Sequence, residues 1–198
     1  EAGTSAEIVV CVVSESDDYA ESRWRAGVWF GLLGAFLALL WSVVRLRSDP
    51  FRFDIYSFSF AVPIVVGAAV GILLVARVPW IRRQFLSEAR RQRRVRQHAE
   101  RAFVVEEVFA TEGRTGVLLF VSLFERIVSI VPDVAVGGAV DESEWHAITE
   151  RMARGIGSGA LGDSLCAGVA ECGQLLAAKG LTRRPDDQNE LDDRVRFE

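Results

Sequence analysis

Lysine is almost missing from this chain of 198 residues: Lys179 stands alone beside 22 arginines. Cysteine is nearly as scarce. Cys11, Cys166 and Cys172 lack CxxC spacing, which excludes a zinc site and a disulfide framework and predicts three buried free thiols. The two histidines, His98 and His146, have no His or Cys at ligand spacing and read as surface residues. The glycine-rich "GIGSGALG" follows an amphipathic helix and not a strand, so it reads as a helix–helix link and not a dinucleotide loop. Ser122 sits within an apolar strand and not on a nucleophile elbow, which argues against a serine hydrolase. No signal-peptide pattern is visible. The net charge of −4 is too small to point to a class of charged partner.

What the chain has is apolar length. Ala26 to Val44 is nineteen residues without a charge. A helical span needs about 20 apolar residues. Trp24, Trp29 and Trp41 lie toward the ends of this run, where indole rings favour the membrane interface. Phe58 to Ala76 is a second such run, bounded by Arg77 and Trp80. Its Gly67 and Gly71 form a GxxxG that either admits a neighbouring helix closely or reflects the small residues common in such helices. Pro63 is tolerable early in a span. The two runs predict a transmembrane hairpin, an integral membrane protein with two spans. Between Arg77 and Arg101 there are nine arginines and two glutamates, against Arg45, Arg47 and Arg52 in the linker. The larger cluster favours a cytoplasmic position for the rest of the chain.

The stretch "GVLLFVSLFERIVSIVPD" is nearly all apolar but carries Glu125 and Arg126 near its middle. Each charge inside a span costs roughly 2.5–3.5 kcal/mol. Two strands fit better, Gly116 to Phe124 and Arg126 to Val131, with the charged pair at the turn. "EIVVCVV", Glu7 to Val13, supplies another strand, parallel to the first of these across a long crossover. A long helix is predicted from Trp80 to Ala110. Another opens at Asp141 with a capping-box spacing to Glu144, and a last one ends at Gly180. The fold class is α/β: a small mixed sheet flanked by helices, with the transmembrane hairpin inserted in the first crossover. The expected domains are 1–23 and 81–182 for the α/β part, 24–80 for the hairpin, and 183–198 for a polar tail.

This order of parts resembles the TPM domain family, on "TSAEIVVCVV", "RTGVLLFVSLFERIVSIVPD" and "NELDD". It is most similar to a bacterial membrane-anchored branch with two spans after the first strand. The motif positions carried by the resemblance are Glu7, Gly116, Glu125, Arg126, Asp133, Asn189 and Glu190. The resemblance implies an α/β sandwich. It also implies weak acid phosphatase activity or calcium binding for some members, and assembly or repair of membrane complexes, including photosynthetic ones, for others. Many members carry an acid where this chain has Thr115, preceded by Arg114. That departure weighs against inherited metal or phosphatase chemistry.

Two constellations follow from the strand directions. The C-terminal ends of the parallel strands would gather Glu15, Asp17, Asp18 and Glu125, a candidate Ca²⁺ or Mg²⁺ site. The competing reading is a helix N-terminus with helpful acids and a solvated turn pair. At the opposite edge Glu7 and Asp133 would be neighbours, either an acid–base pair or two strand-end carboxylates facing water. The basic run Arg82, Arg83, Arg90, Arg91, Arg93, Arg94 and Arg96 is expected to face lipid headgroups. Nucleic acid is not expected, because no aromatic stacking platform lies near. The expected function is a non-catalytic accessory, assembly or structural subunit of a membrane complex without cofactor, partnered by membrane lipids and other subunits. The alternative is a weak metal-dependent phosphatase anchored to the membrane.

Overall fold

The computed structural model describes residues 4–17, 19–46, 56–181, 190–192 and 194–197. It divides into two compact units: Glu1–Asp17 with Ala89–Glu198, and Asp18–Glu88. The helical insertion is therefore wider at both ends than the 24–80 expected from hydropathy.

The α/β unit is built on a four-stranded mixed sheet. β1 (Ile8–Val13) pairs in parallel with β2 (Val117–Ser122), which pairs antiparallel with β3 (Ile127–Pro132). Both β1 and β2 are buried along their whole length. The reason is that each strand alternates between two cores. Val10, Val12, Leu119 and Val121 meet Trp145, Ile148, Met152, Cys172 and Leu176 on one face. Val9, Cys11, Val13, Leu118 and Phe120 meet Val95, Ala99 and Ala102 on the other. A strand apolar on both sides is what a sheet covered on both faces requires. Gly116 precedes β2 because a Cβ there would overlap the Val108 carbonyl.

The helices that cover the sheet are α4 (Glu88–Val105) on one side, and α6 (Glu142–Gly157) and α7 (Leu161–Ala178) on the other. A single turn, α5 (Val134–Gly137), joins β3 to α6 and is capped by the Asp133 carboxylate. The capping box expected at Asp141 is present, with the Glu144 carboxylate accepting from the Asp141 N–H at 3.1 Å. The one lysine has a structural task here: Lys179 Nζ reaches Glu144 at 2.8 Å and ties the end of α7 to the start of α6. Lys179, with the Asp141 N–H second, holds the Glu144 carboxyl below the usual carboxylate range. Gly180 follows the helix with φ of +89°, the left-handed conformation that ends many helices.

Three expectations need correction. The helix predicted from Trp80 to Ala110 is two helices, α3 (Pro79–Gln84) and α4. The polar tail contributes a strand, β4 (Arg196–Phe197), which pairs in parallel with β1 at Cys11 and Val12. Arg196 anchors it through an ion pair with Glu106. Cys166 is exposed, while Cys11 and Cys172 are buried. The buried stripe of α7 runs Ser164, Gly168, Cys172, Leu176, and Cys166 falls on the other side. Burial, with the Glu171 charge second, pushes the Cys172 thiol up to about 12. Maleimide is therefore expected to label Cys166 alone in the native protein, and the other two cysteines only after unfolding. Peptide mass spectrometry reads the result; comparable labelling of Cys172 and Cys166 would contradict it.

The helical unit consists of α1 (Ala20–Leu46), α2 (Tyr56–Arg77) and α3. Glu21–Val44 is long and apolar enough to cross a membrane. Among the described side chains of α2 the apolar stretch is Ala61–Arg77, shorter than a span. The Gly67 and Gly71 positions face α1 at backbone distance. A Cβ on Gly67 would lie 2.5 Å from the Phe30 carbonyl oxygen, and one on Gly71 2.8 Å from that of Ala26. Within the same unit the Arg82 guanidinium sits over the Tyr19 ring, 5.4 Å from its centre.

Candidate functional site

The C-terminal ends of β1 and β2 form the edge where open α/β sheets bind ligands. Here the chain leaves β1 through Ser14–Asp17 and leaves β2 through a four-residue turn, Leu123–Arg126. The two exits are stitched together: the Leu123 N–H donates to the Val13 carbonyl at 3.1 Å, and the Phe124 N–H to that of Ser14 at 2.9 Å. Arg126 takes a positive φ of 56°, and it points its charge outward. Glu125 goes the other way. It is 2% exposed.

The Glu125 carboxylate is the hub of this edge. Oε1 accepts from the Ser16 N–H at 3.0 Å, and Oε2 accepts from the Ser122 hydroxyl. The Ser16 hydroxyl donates to Ser122 Oγ at 3.0 Å, closing a ring of bonds. The Glu125 carbonyl accepts from Arg91 Nη1 at 3.4 Å. The reading of Glu125 and Arg126 as a solvated turn pair is thus half corrected: Arg126 is solvated and Glu125 is buried. A carboxylate can be buried when donors replace its water, and Ser16 and Ser122 do so.

Of the other acids of the expected metal site, Glu15 is half-buried on the exit of β1. Asp17 pairs with Arg94 Nε at 3.0 Å. Asp18 lies outside the described residues. Among the described residues no three His, Cys, Asp or Glu side chains gather to hold a metal ion. Ca²⁺ takes six to eight oxygen ligands, and here both Glu125 oxygens already accept from protein donors. The residues present at this edge do not fit that ion.

At the opposite edge Glu7 and Asp133 flank the start of β2. The Glu7 carbonyl accepts from the Val117 N–H at 2.8 Å, and the Asp133 N–H donates to the Gly116 carbonyl at 2.8 Å. Neither side chain faces water: Glu7 is 9% and Asp133 3% exposed. Asp133 Oδ1 accepts from the Val134 N–H at 2.7 Å, and Oδ2 meets Arg114 Nε at 2.9 Å. Arg114 also lies over the Phe109 ring. Glu7 Oε1 accepts from the Glu190 N–H, and both Glu190 carboxylate oxygens accept from the Glu112 N–H. Thr115 donates through its hydroxyl to the Ser5 carbonyl. Asn189 lies outside the described residues. These acids cap chain ends and receive N–H groups, a structural use for every one whose partners are seen.

Within α4 the basic run does not form one face. Arg90, Arg93 and Arg96 of α4 are exposed, and Arg96 pairs with Glu100 at 3.0 Å. Arg91 and Arg94 turn toward the sheet edge. Arg82 and Arg83 are half-buried in α3. His98, expected at the surface, is half-buried, its ring 5.2 Å from that of Phe120. His146 is exposed, 3.3 Å from Glu150. A polar recess of about 270 Å³ opens beside α4, lined by Ser16, Asp17, Arg94, Gln97, His98 and Arg101. Residue type alone does not find this recess. The helical period does: 94, 98 and 101 each precede a buried position, 95, 99 and 102, and so line the border of the buried stripe.

No protein-family model matches the chain, and neither does any curated protein. Among solved structures, the NMR structure of BA42 protein from the psychrophilic bacterium Bizionia argentinensis is similar at 21% identity, with a TM-score of 0.48, over 52% of this chain and 71% of that one. At that level no property passes from one chain to the other.

Proposed function

We propose that the chain is a membrane-anchored, TPM-like accessory protein that joins a larger membrane complex without catalysing a reaction. One observation carries the membrane part. Only 11% of the most apolar window of α1 is buried within the protein, and Trp29, Leu33, Phe36, Leu37 and Leu40 are all exposed. A core helix of a soluble fold would hide such side chains. The helix α2 packs backbone-close on α1 and exposes Val62, Val65, Val66 and Leu73, which supports reading the two as a hairpin with lipid around it, the second arm described over a shorter apolar length than the first. The arginine excess after Arg77 favours a cytoplasmic α/β unit.

The non-catalytic part rests on how the acids are used. Glu125 and Asp133 accept protein N–H or O–H groups, Asp133 also pairs with a guanidinium, and both hold strand ends in place. A metal-dependent phosphatase needs carboxylate oxygens free for the ion and the water it activates, and no observation at either edge favours that reading.

Purification from native membranes in a gentle detergent tests this function. The chain is expected to run with other membrane subunits in fixed stoichiometry. Migration alone, together with phosphomonoester turnover that follows the protein through purification, would overturn the proposal.

A further inference from the structure

The recess beside α4 has a composition that the accessory role does not explain. Of its six lining residues, Arg94 and Arg101 are cationic, Gln97 and His98 are polar, and Asp17 is the one acid. All of them come from α4 or from the exit of β1, so the recess belongs wholly to the α/β unit. It lies beyond the C-terminal end of β1, the edge of an open sheet that favours ligands.

We propose that this recess binds a terminal phosphate group, carried either by a lipid headgroup or by a soluble phosphomonoester. Charge is the first argument. Asp17 balances one guanidinium and leaves the other, because Arg101 makes no ion pair among the described residues. A site lined by two guanidiniums and one carboxylate attracts an anion. Geometry is the second. Arg94 is held by Asp17 through Nε at 3.0 Å. A guanidinium has five N–H donors in a rigid fork, so the Nη groups remain for another acceptor while the pair with Asp17 fixes their direction. Arg101 is two turns further along the same helix, on the same side. Two forks lining one pocket suit the several oxygens of a phosphate, where a single carboxylate would occupy one of them. Gln97 adds an amide donor between them. Size is the third: about 270 Å³ admits a small anionic head and the first atoms of what carries it.

The role is binding. The nearest hydroxyls, Ser16 and Ser122, are tied into the ring closed by Glu125, so none is poised as a nucleophile. The inference does not depend on which complex the chain joins.

The test uses the full chain in a detergent with an uncharged headgroup. Inorganic phosphate is titrated at constant pH and ionic strength while the two imidazoles are followed by NMR. His98 lines the recess, and His146 on α6 is the internal control. Phosphate is expected to move the His98 signals to saturation and leave those of His146 in place. Arg101→Gln is expected to weaken the apparent affinity about tenfold, the scale of one lost charge-assisted hydrogen bond. Arg101 is exposed, so this variant folds, and unchanged Phe120 signals confirm it. Arg96→Gln, on the same helix but outside the recess, is expected to bind as the parent does. Equal, unsaturating shifts of both histidines, or equal weakening by both variants, would overturn the site in favour of diffuse charge. Nanodiscs then separate the sources. If phosphatidic acid displaces free phosphate and phosphatidylglycerol at equal charge does not, the ligand is a headgroup. If neither lipid competes while free phosphate saturates, it is a soluble phosphomonoester.

Discussion

Replacing Glu125 with alanine is expected to lower the stability of the α/β unit by about 3 kcal/mol, with denaturant unfolding of the purified chain as the measurement. Two effects add. The Ser16 N–H and the Ser122 hydroxyl each lose their acceptor, and an unsatisfied buried donor costs about 1–3 kcal/mol. The side chain is also among the largest that are fully buried, so its removal leaves a cavity whose lining loses contacts. Glu125→Gln is the informative companion. Its amide oxygen can still accept one of the two bonds, and the amide N–H₂ can donate to Ser122 Oγ if that hydroxyl turns. The expected cost is roughly 1 kcal/mol. A small loss for alanine, comparable to that for glutamine, would mean that water or another group replaces the carboxylate, and the account of Glu125 as a structural hub would fall. The ordering matters for function as well. A loss of any activity in Glu125→Ala says nothing about catalysis unless Glu125→Gln, which keeps the fold, loses it too.

Much of the architecture was legible because the sheet is covered on both faces. A strand with no polar side is a continuous apolar run, and β1 and β2 are such runs. Their parallel pairing followed from the length of chain between them. The capping box at Asp141 and the left-handed Gly180 were legible because they are local: each depends on a few consecutive residues. What escaped was set by tertiary partners or by small signals. The break between α3 and α4 is marked by Ser87, directly before Glu88, a helix-start signal that the regular arginine pattern masks. The strand β4 is two residues long and exists because the edge of β1 offers it partners; nothing in "RVRFE" stands out as apolar. Charge at a turn reads as solvent exposure, and for Arg126 that is right. Glu125 is buried because the exit of β1, over a hundred residues away in sequence, brings it a backbone N–H. No local pattern carries that information. The same holds for Arg94, whose partner Asp17 comes from the other side of the helical insertion.

The GxxxG of α2 was open to two readings, and the close approach of the helices makes one of them testable with a large effect. Leucine at Gly67 is expected to separate α1 from α2. The obstacle there is backbone, the Phe30 carbonyl 2.5 Å from where a Cβ would stand, and backbone cannot move aside as a side chain end can. Gly34 opposes the Pro63 carbonyl in the same way from the other helix. Overpacking of this kind costs about 1–3 kcal/mol or more. For a pair of helices in lipid, the setting proposed above, that is a large share of what holds them together, since there is no hydrophobic gain in their association and close packing is the main source of it. A cross-link provides the measurement. A Cβ on Gly31 would lie 3.6 Å from that of Ala68, within the range a disulfide spans. Gly31→Cys with Ala68→Cys, in a background lacking Cys166, is therefore expected to oxidise readily in the native protein. Adding Gly67→Leu is expected to abolish the cross-link, whereas Ala76→Leu, at an exposed position one residue from the end of α2, is expected to leave it. Persistence of the disulfide with leucine at position 67 would mean that the helices meet by side chains alone. The glycines would then be a matter of composition and not of packing.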